Sequence, residues 1–224
     1  MYVSEIFESI QGEGKFAGTP SVFMRTSGCN LRCSWCDSEY TSWNPEGDTL
    51  NTTEIEREVR KFGCRHIVVT GGEPLLQDDL DELCNQISDR HITVETNATV
   101  YRNIDIDLVS LSPKLSNSTP TGEWSEIHEN KRLDFDVIEA WMQDESCDYQ
   151  LKFVVRNQED LDEVEEILAS LEGYDDNKVM LMPEGTDRDT LRERGSWLSK
   201  VCMEKGYRYS PRLQIHLYGD QRRT

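Results

Sequence analysis

The sequence lacks the long apolar runs and the leader that would mark a membrane or secreted protein. No stretch approaches the roughly 20 apolar residues that a membrane helix needs, and Met1 is not followed by a basic segment and then an apolar one. Proline is scarce, with seven residues in 224, and no proline- or glycine-rich linker divides the chain. We therefore expect a cytoplasmic protein in which residues 1–224 form a single domain.

The sequence also has few basic residues relative to acidic ones. The chain has 24 Lys and Arg residues against 43 Asp and Glu residues, so its formal net charge is −19. Such a charge repels polyanions at long range, which argues against a nucleic-acid partner or an anionic membrane. Any anionic ligand must therefore bind in a local basic pocket.

The cysteines do not have the pattern of a disulfide framework. There are seven, an odd number, and three of them fall within eight residues. The other four, Cys64, Cys84, Cys147 and Cys202, lie in apolar or helical patterns. We expect these four to be small core residues.

What is present is an alternation of apolar runs and helical patterns. Runs rich in β-branched residues predict strands at 21–26, 66–70, 91–96, 107–112, 150–155 and 178–182. Helical periodicity between them predicts helices at 53–62, 76–89, 135–144, 159–171 and 187–205. This order indicates an α/β fold, and six parallel strands are too few for a full eight-unit barrel. We predict a partial, open TIM-like barrel with outer helices.

Two local features refine this prediction. Thr53 and Glu56 have the spacing of a capping box at the start of the first long helix. Residues 211–219 alternate between apolar and polar, which predicts a further strand that closes the site or forms a dimer contact, and 220–224 are expected to be a mobile tail.

Unusual polar sequences follow four successive predicted strands. They are Gly28 and Cys29, then residues 70–74, 95–97 and 112–114. Because ligands of parallel α/β sheets bind at the carboxyl ends of the strands, we expect these segments to meet in one site.

The three clustered cysteines indicate an iron–sulfur cluster. Cys29, Cys33 and Cys36 are separated by three and then two residues, in a loop short enough to wrap around one small cluster. Three thiolates suit three irons of a 4Fe-4S cluster and leave the fourth iron open. The alternative is a structural zinc site, which would need His66 or Cys64 as its fourth ligand.

This cysteine spacing, with Trp35 just before the last cysteine, resembles the signature of the radical S-adenosylmethionine superfamily. Residues 6–14, Arg25 and the Ser-Pro-Lys segment at 112–114 further resemble the 7-carboxy-7-deazaguanine synthase family. Other segments fall in that family's order, at 70–74, 95–97, 152–155, 182–185 and 211–213, so the resemblance covers nearly the whole chain.

The resemblance implies a lyase that converts 6-carboxy-5,6,7,8-tetrahydropterin to 7-carboxy-7-deazaguanine with loss of ammonia, in queuosine- or archaeosine-type biosynthesis. It implies a 4Fe-4S cluster, S-adenosylmethionine and Mg²⁺ as cofactors, a flavodoxin or ferredoxin as electron donor, and a homodimer. One alternative is a glycyl-radical activating enzyme, which shares the three-cysteine loop but must admit a protein loop. Another is an electron-transfer or metal-storage module without a substrate.

The resemblance also implies roles for individual residues. Cys29, Cys33 and Cys36 would hold the cluster on which catalysis depends. Substrate contacts would come from Ile10, Gln11, Gly12, Arg25 and Thr70. S-adenosylmethionine would be bordered by Trp35, Cys36, Asp37, Gly72, Glu73, Ser112, Pro113 and Lys114.

Three of these roles carry a specific expectation. Arg25 would grip the substrate carboxylate with its bidentate fork, and Glu73 would accept from the methionine ammonium group. Ser38 stands where the family binds Mg²⁺ through a threonine; it keeps the hydroxyl oxygen and loses the methyl group that fixes the rotamer.

Overall fold

The computed structural model describes residues 1–224 and contains one nine-stranded sheet in the order β3-β1-β2-β4-β5-β6-β7-β8-β9. The strands are β1 Tyr2–Ile10, β2 Pro20–Thr26, β3 Asp48–Thr49, β4 His66–Gly71, β5 His91–Thr96, β6 Leu108–Leu111, β7 Asp148–Val155, β8 Val179–Pro183 and β9 Arg208–Tyr209. Neighbours from β2 to β9 are parallel, whereas β1 runs antiparallel to β2 and to β3. The short strands β3 and β9 are the two free edges, so the barrel is open.

The predicted fold class is confirmed. The six predicted strands correspond to β2 and to β4 through β8, with ends that differ by a few residues. Strand β1 was not predicted, since its residues 2–10 mix charged and apolar side chains. In the structure these alternate between buried and partly exposed positions, as expected for a strand with one solvated face.

The chain contains eight α-helices, seven between strands and one after β9. They are α1 Glu39–Ser42, α2 Thr52–Val59, α3 Leu80–Gln86, α4 Ser125–Glu129, α5 Phe135–Met142, α6 Gln158–Ser170, α7 Arg188–Lys205 and α8 Leu213–Tyr218. The predicted capping box is wrong by two residues, because Asn51 caps α2 and exchanges hydrogen bonds of 2.9 Å with Glu54. Asn is as good an N-cap as Thr, and the helix therefore begins earlier.

The predicted strand at 211–219 is also wrong. Strand β9 ends at Tyr209, and the chain then turns back and forms α8. The turn brings the backbone N–H of Leu213 to the carbonyl of Gly12, at 2.9 Å. Residues 220–224, expected to be a mobile tail, lie against the barrel, where the Arg222 guanidinium is 3.6 Å from the centre of the Tyr40 ring.

The two faces of the sheet have different chemistry. Successive strand residues point to opposite faces, and the outward ones, such as Val69, Val94 and Phe153, pack with the helices in a core of 37 buried residues. The concave face holds a small cluster of Phe7, Phe23 and Val68, with the two rings stacked 5.3 Å apart. Polar side chains occupy the rest of this face near the carboxyl ends of the strands.

All seven cysteines are free thiols. Cys84 and Cys202 are buried, while Cys64 and Cys147 are half-buried at the edge of the core. None of the helices combines the length and the apolar character needed to span a membrane.

Candidate active site

A cavity of about 470 Å³ opens at the carboxyl ends of the parallel strands. This volume lies within the usual range for small-molecule sites. Most of the predicted site residues line it, namely Ile10, Gln11, Gly12, Arg25, Cys29, Cys33, Trp35, Cys36, Asp37, Ser38, Thr70, Gly72, Ser112 and Lys114. The structure therefore brings together side chains from segments spread over 100 residues of sequence.

The cysteine loop is held from its outer side. Arg32 Nη1 donates to the carbonyls of Cys29 and Leu31 at 2.7 and 2.8 Å, and Trp43 Nε1 donates to the carbonyl of Cys33 at 3.1 Å. His128 Nδ1 accepts from the Arg32 backbone N–H at 3.1 Å. Burial lowers the pKa of His128 to about 4, so the ring is a neutral acceptor at physiological pH. These contacts fix the backbone and leave the thiols facing the cavity.

The donor set fits a 4Fe-4S cluster. All three thiols are partly buried on the wall of the same cavity. Burial raises the pKa of Cys29 to about 11 and that of Cys33 to about 12, because a thiolate there lacks solvation. Cationic iron would supply the missing compensation, and three thiolates leave one iron open.

The zinc alternative does not fit. No group of three His, Cys, Asp or Glu side chains is arranged to hold a metal ion; a cubane cluster differs, because its iron atoms separate the thiolates. Cys64 and His66 lie at the start of β4, roughly 17 Å of extended strand from its cavity end. Both His66 ring nitrogens are already engaged, with Ser21 at 2.7 Å and Thr93 at 2.8 Å.

The Gly71-Gly72 pair lets two loops touch. A Cβ on Gly71, whose φ is +122°, would lie 2.1 Å from the carbonyl oxygen of Thr26. A Cβ on Gly72 would lie 2.0 Å from the carbonyl oxygen of Gly28. Side chains at either position would thus push the β4 loop away from the loop that carries Cys29.

Two predicted cofactor residues do not line the cavity. Glu73 is fully buried, and its carboxylate accepts from Asn97 N at 2.7 Å, Thr96 Oγ1 at 2.8 Å and Leu75 N at 3.1 Å. Its contact with the methionine ammonium stays a prediction; in this structure Glu73 ties the β4 loop to the end of β5. Pro113 is likewise buried outside the cavity wall.

The Arg25 side chain is held at its Nε atom and can bind an anion through its Nη atoms. Its Nε donates to Glu5 Oε1 at 2.9 Å, and Tyr40 donates to the same oxygen at 2.9 Å. The Glu5 side chain is fully buried, while 21% of the Arg25 side chain is exposed. Neither Nη atom of Arg25 makes a hydrogen bond within the protein. The terminal fork is therefore available for a carboxylate.

The loop at 11–14 is anchored by carboxylates that the sequence analysis did not assign. Glu95 accepts from Gln11 Nε2 at 3.1 Å and from Thr70 Oγ1 at 2.8 Å. Glu13 accepts from Lys152 Nζ at 2.5 Å and from Arg212 Nε at 3.2 Å. Burial alone would raise the pKa of Glu13, yet these two cations lower it to about 2.

One signal could have pointed to these residues. Lys152 stands within the apolar run 151–155 of β7, where an unpaired ammonium would be costly, so a buried acidic partner was implied. Its identity as Glu13, 139 residues away, depends on tertiary structure. Gln214 lines the cavity and donates to Glu13 at 2.9 Å, whereas His216 is exposed on α8.

The part of the cavity wall that holds Ser38, Ser112 and Lys114 carries hydroxyl and ammonium groups. Lys114 Nζ lies 2.8 Å from Ser112 Oγ and 5.9 Å from the centre of the Trp35 ring. Ser38 is buried at the start of α1, and its hydroxyl makes no capping hydrogen bond there. Its closest polar partner is Cys36 Sγ at 3.9 Å, so the oxygen is available to a ligand.

Comparison with known proteins first defines the class. Residues 23–116 match the model of the Radical SAM superfamily. The fold is that of QueE from Escherichia coli, whose crystal structure superposes with a TM-score of 0.70 at 23% identity, covering 93% of this chain and 92% of the other. The 4Fe-4S cluster and S-adenosylmethionine are the cofactors of this class.

Full-length relatives define the family. A 7-carboxy-7-deazaguanine synthase from Halobacterium salinarum is 46% identical over 238 residues, covering 99% of this chain and 92% of the relative. One from Rhodopirellula baltica is 40% identical, covering 100% of this chain and 89% of the relative. The chain belongs to the 7-carboxy-7-deazaguanine synthase family.

The burial of Glu73 predicts a pH dependence of stability. Burial raises the pKa of Glu73 from 4.5 to about 7, against the hydrogen bonds from Asn97, Leu75 and Thr96. Because the pKa of Glu73 is higher in the folded protein than in the unfolded chain, protonation of Glu73 stabilises the fold. This stabilisation is complete below the pKa of the unfolded chain and is lost as the pH rises through about 7, the pKa in the folded protein. At about 1.4 kcal/mol per pKa unit, the loss reaches up to about 3 kcal/mol.

The Glu73→Gln variant lacks this titration and serves as the reference. We expect the free energy of unfolding of the wild type, minus that of Glu73→Gln, to fall between pH 5 and pH 8 in urea titrations. A difference that does not change with pH would mean that Glu73 is ionised in both states.

Proposed function

We propose that the cavity binds 6-carboxy-5,6,7,8-tetrahydropterin beside S-adenosylmethionine and converts it to 7-carboxy-7-deazaguanine with release of ammonia. The observation that carries this proposal is that the three cysteine thiols and the unengaged fork of Arg25 line the same cavity. Membership of the 7-carboxy-7-deazaguanine synthase family supports the choice of reaction.

When bound, the reduced cluster and S-adenosylmethionine supply the carbon radical that begins and ends the rearrangement. Cys29, Cys33 and Cys36 hold the cluster, while Trp35, Asp37, Gly72, Ser112 and Lys114 border S-adenosylmethionine. In such enzymes the protein contributes position and exclusion of water.

On the substrate side, Arg25 holds the carboxylate through its two Nη atoms. Ile10, Gln11, Gly12 and Thr70 meet the pterin ring. Glu95 fixes the Gln11 amide and the Thr70 hydroxyl in advance, so the ring meets polar groups that are already oriented.

We also propose Ser38 as the protein ligand of Mg²⁺. Its hydroxyl is buried, has no capping partner and lines the cavity. A hard cation there would complete its coordination with substrate oxygens and water.

A small substrate agrees better with this cavity than a protein loop does. Residues 220–224 form part of the wall, so the C-terminal segment of the chain takes up space that an entering protein loop would need. This arrangement disfavours the glycyl-radical activating alternative.

As a member of this family, the chain acts on a small molecule and needs a reductant. We propose that a flavodoxin or ferredoxin supplies the electrons, that the 224 residues act as one domain, and that two chains form a homodimer in the cytoplasm. These proposals rest on the family resemblance.

The direct test is anaerobic turnover. The cluster is reconstituted, and dithionite, S-adenosylmethionine, Mg²⁺ and 6-carboxytetrahydropterin are added. We expect 7-carboxy-7-deazaguanine by mass spectrometry. Formation of 5'-deoxyadenosine without that product would keep the radical chemistry and reject the substrate.

Replacing Arg25 should weaken substrate binding selectively. In Arg25→Lys the charge beside Glu5 remains, but the bidentate fork is lost. A charged hydrogen bond contributes about 1.5–3 kcal/mol, so the KM for the pterin should rise about 10- to 100-fold. The affinity for S-adenosylmethionine should not change.

Arg90→Lys is the control, because Arg90 lies at the opposite end of the strands and donates to the carbonyl of Val59. Equal weakening of both ligands by Arg25→Lys would contradict the assignment of Arg25.

Replacing Ser38 should change the response to Mg²⁺. We expect Ser38→Ala to lose most of the stimulation by Mg²⁺, because the hydroxyl ligand is absent. Ser38→Thr keeps the oxygen and adds the methyl group that restricts χ1, so it should retain the stimulation. The rate of product formation is measured across a MgCl₂ titration. An unchanged response in Ser38→Ala would remove Ser38 from the metal site.

A further inference from the structure

The side chain of Arg212 joins three loops at the rim of the cavity. Its Nε donates to Glu13 in the substrate loop, defined as residues 11–14, at 3.2 Å. Its Nη2 donates to Asp37, directly after the last cysteine. Its Nη1 donates to the carbonyl of Gly185, after β8, at 2.6 Å. Three segments far apart in sequence thus share one guanidinium group.

This contact is buried and charge-compensated. Only 7% of the Arg212 side chain is exposed, and it faces two carboxylates. Its donors diverge in a fixed plane, so each reaches a different loop. A lysine has a single nitrogen and cannot reach all three acceptors with the same geometry.

The substrate loop is tied to the Arg212 segment by further bonds. Gly14 N donates to Ser210 Oγ at 2.9 Å, and Leu213 N donates to the carbonyl of Gly12 at 2.9 Å. A Cβ on Gly12 would lie 1.7 Å from Gln214 Oε1, so the two segments are in direct contact. Because of these bonds, the substrate loop and residues 210–214 form one unit.

The Asp37 end of the Arg212 contact is held by fewer bonds than the Glu13 end. The Asp37 side chain is 45% exposed, and Arg212 is its only hydrogen-bond partner. The carboxylate of Asp37, beside Cys36, therefore depends on Arg212 for its position.

We propose that Arg212 is a positioning residue that couples pterin binding at the substrate loop to S-adenosylmethionine binding beside Asp37. This inference rests on the proposed function. S-adenosylmethionine fixes the exposed carboxylate of Asp37, the pterin fixes the position of the substrate loop, and Arg212 links the two. The second ligand then has less ordering to complete, which is positive and reciprocal coupling.

The test measures binding and involves no turnover. The holoenzyme with its cluster is left unreduced, and the unreactive probe 6-carboxypterin is titrated calorimetrically with and without saturating S-adenosylmethionine. In the wild type we expect S-adenosylmethionine to tighten probe binding by about fivefold or more. In Arg212→Lys and in Asp37→Asn both ligands should still bind, and the ratio of the two affinities should fall close to one.

Arg194→Lys is the matched control. Arg194 donates to the carbonyl of Glu184 at 2.6 Å, so it contacts the same loop after β8. It makes no hydrogen bond to the substrate loop or to the cysteine loop. We expect this variant to keep the coupling of the wild type.

The outcomes separate the inference from the proposed function. Coupling retained in Asp37→Asn or in a folded Arg212→Lys, or lost equally in Arg194→Lys, would overturn the role of Arg212. Thermal melting shows whether Arg212→Lys is folded, and the exposed Asp37 gives a second variant if it is not. A wild type that binds the probe without any effect of S-adenosylmethionine would overturn the inference alone. A wild type that does not bind the probe would overturn the proposed function and the inference with it.

Discussion

Charge pairing inside the concave face of the sheet is the constraint on which the site depends. Arg25, Lys152 and Arg212 are largely removed from water, and each has a carboxylate partner. An unpaired charge at such a position costs several kcal/mol, so removing one member of a pair exposes the other to that cost. The pairs also orient the groups that face the cavity, because a paired guanidinium or ammonium group has few alternative positions.

Several buried carboxylates accept hydrogen bonds from the side chains and backbone that form the site. Glu5 orients Arg25, Glu95 fixes Gln11 and Thr70, and Glu73 accepts from the end of β5. This arrangement gives the cavity a preorganised wall in a chain with a large excess of acidic residues. It also explains how a protein of net charge −19 provides a local site for an anionic substrate. Glu5 and Glu73 lie outside the cavity wall, and Glu13 and Glu95 are engaged by Lys152 and Thr70, whereas the fork of Arg25 has no partner.

Close backbone packing determines where the cysteines lie. The β4 loop approaches the cysteine loop through Gly71 and Gly72, and its backbone N–H groups donate to the carbonyls of Thr26 and Gly28. Arg32, Trp43 and His128 hold the outer side of the same loop. These three side chains bond to backbone atoms of the loop and to none of its sulfur atoms. They therefore position the thiols and leave the sulfurs free to bind iron.

The sequence by itself determined the class of site and the order of the parallel strands. Cysteine spacing and apolar runs are local features, so Cys29, Cys33 and Cys36 and strands β2 and β4 to β8 could be predicted. Tertiary structure alone decided which charges meet across the barrel, as Lys152 and Glu13 do over 139 residues. It also decided the burial of Glu73 and the helix at 213–218, where an alternating pattern had predicted a strand. Such outcomes depend on contacts between distant segments, and no local pattern records them.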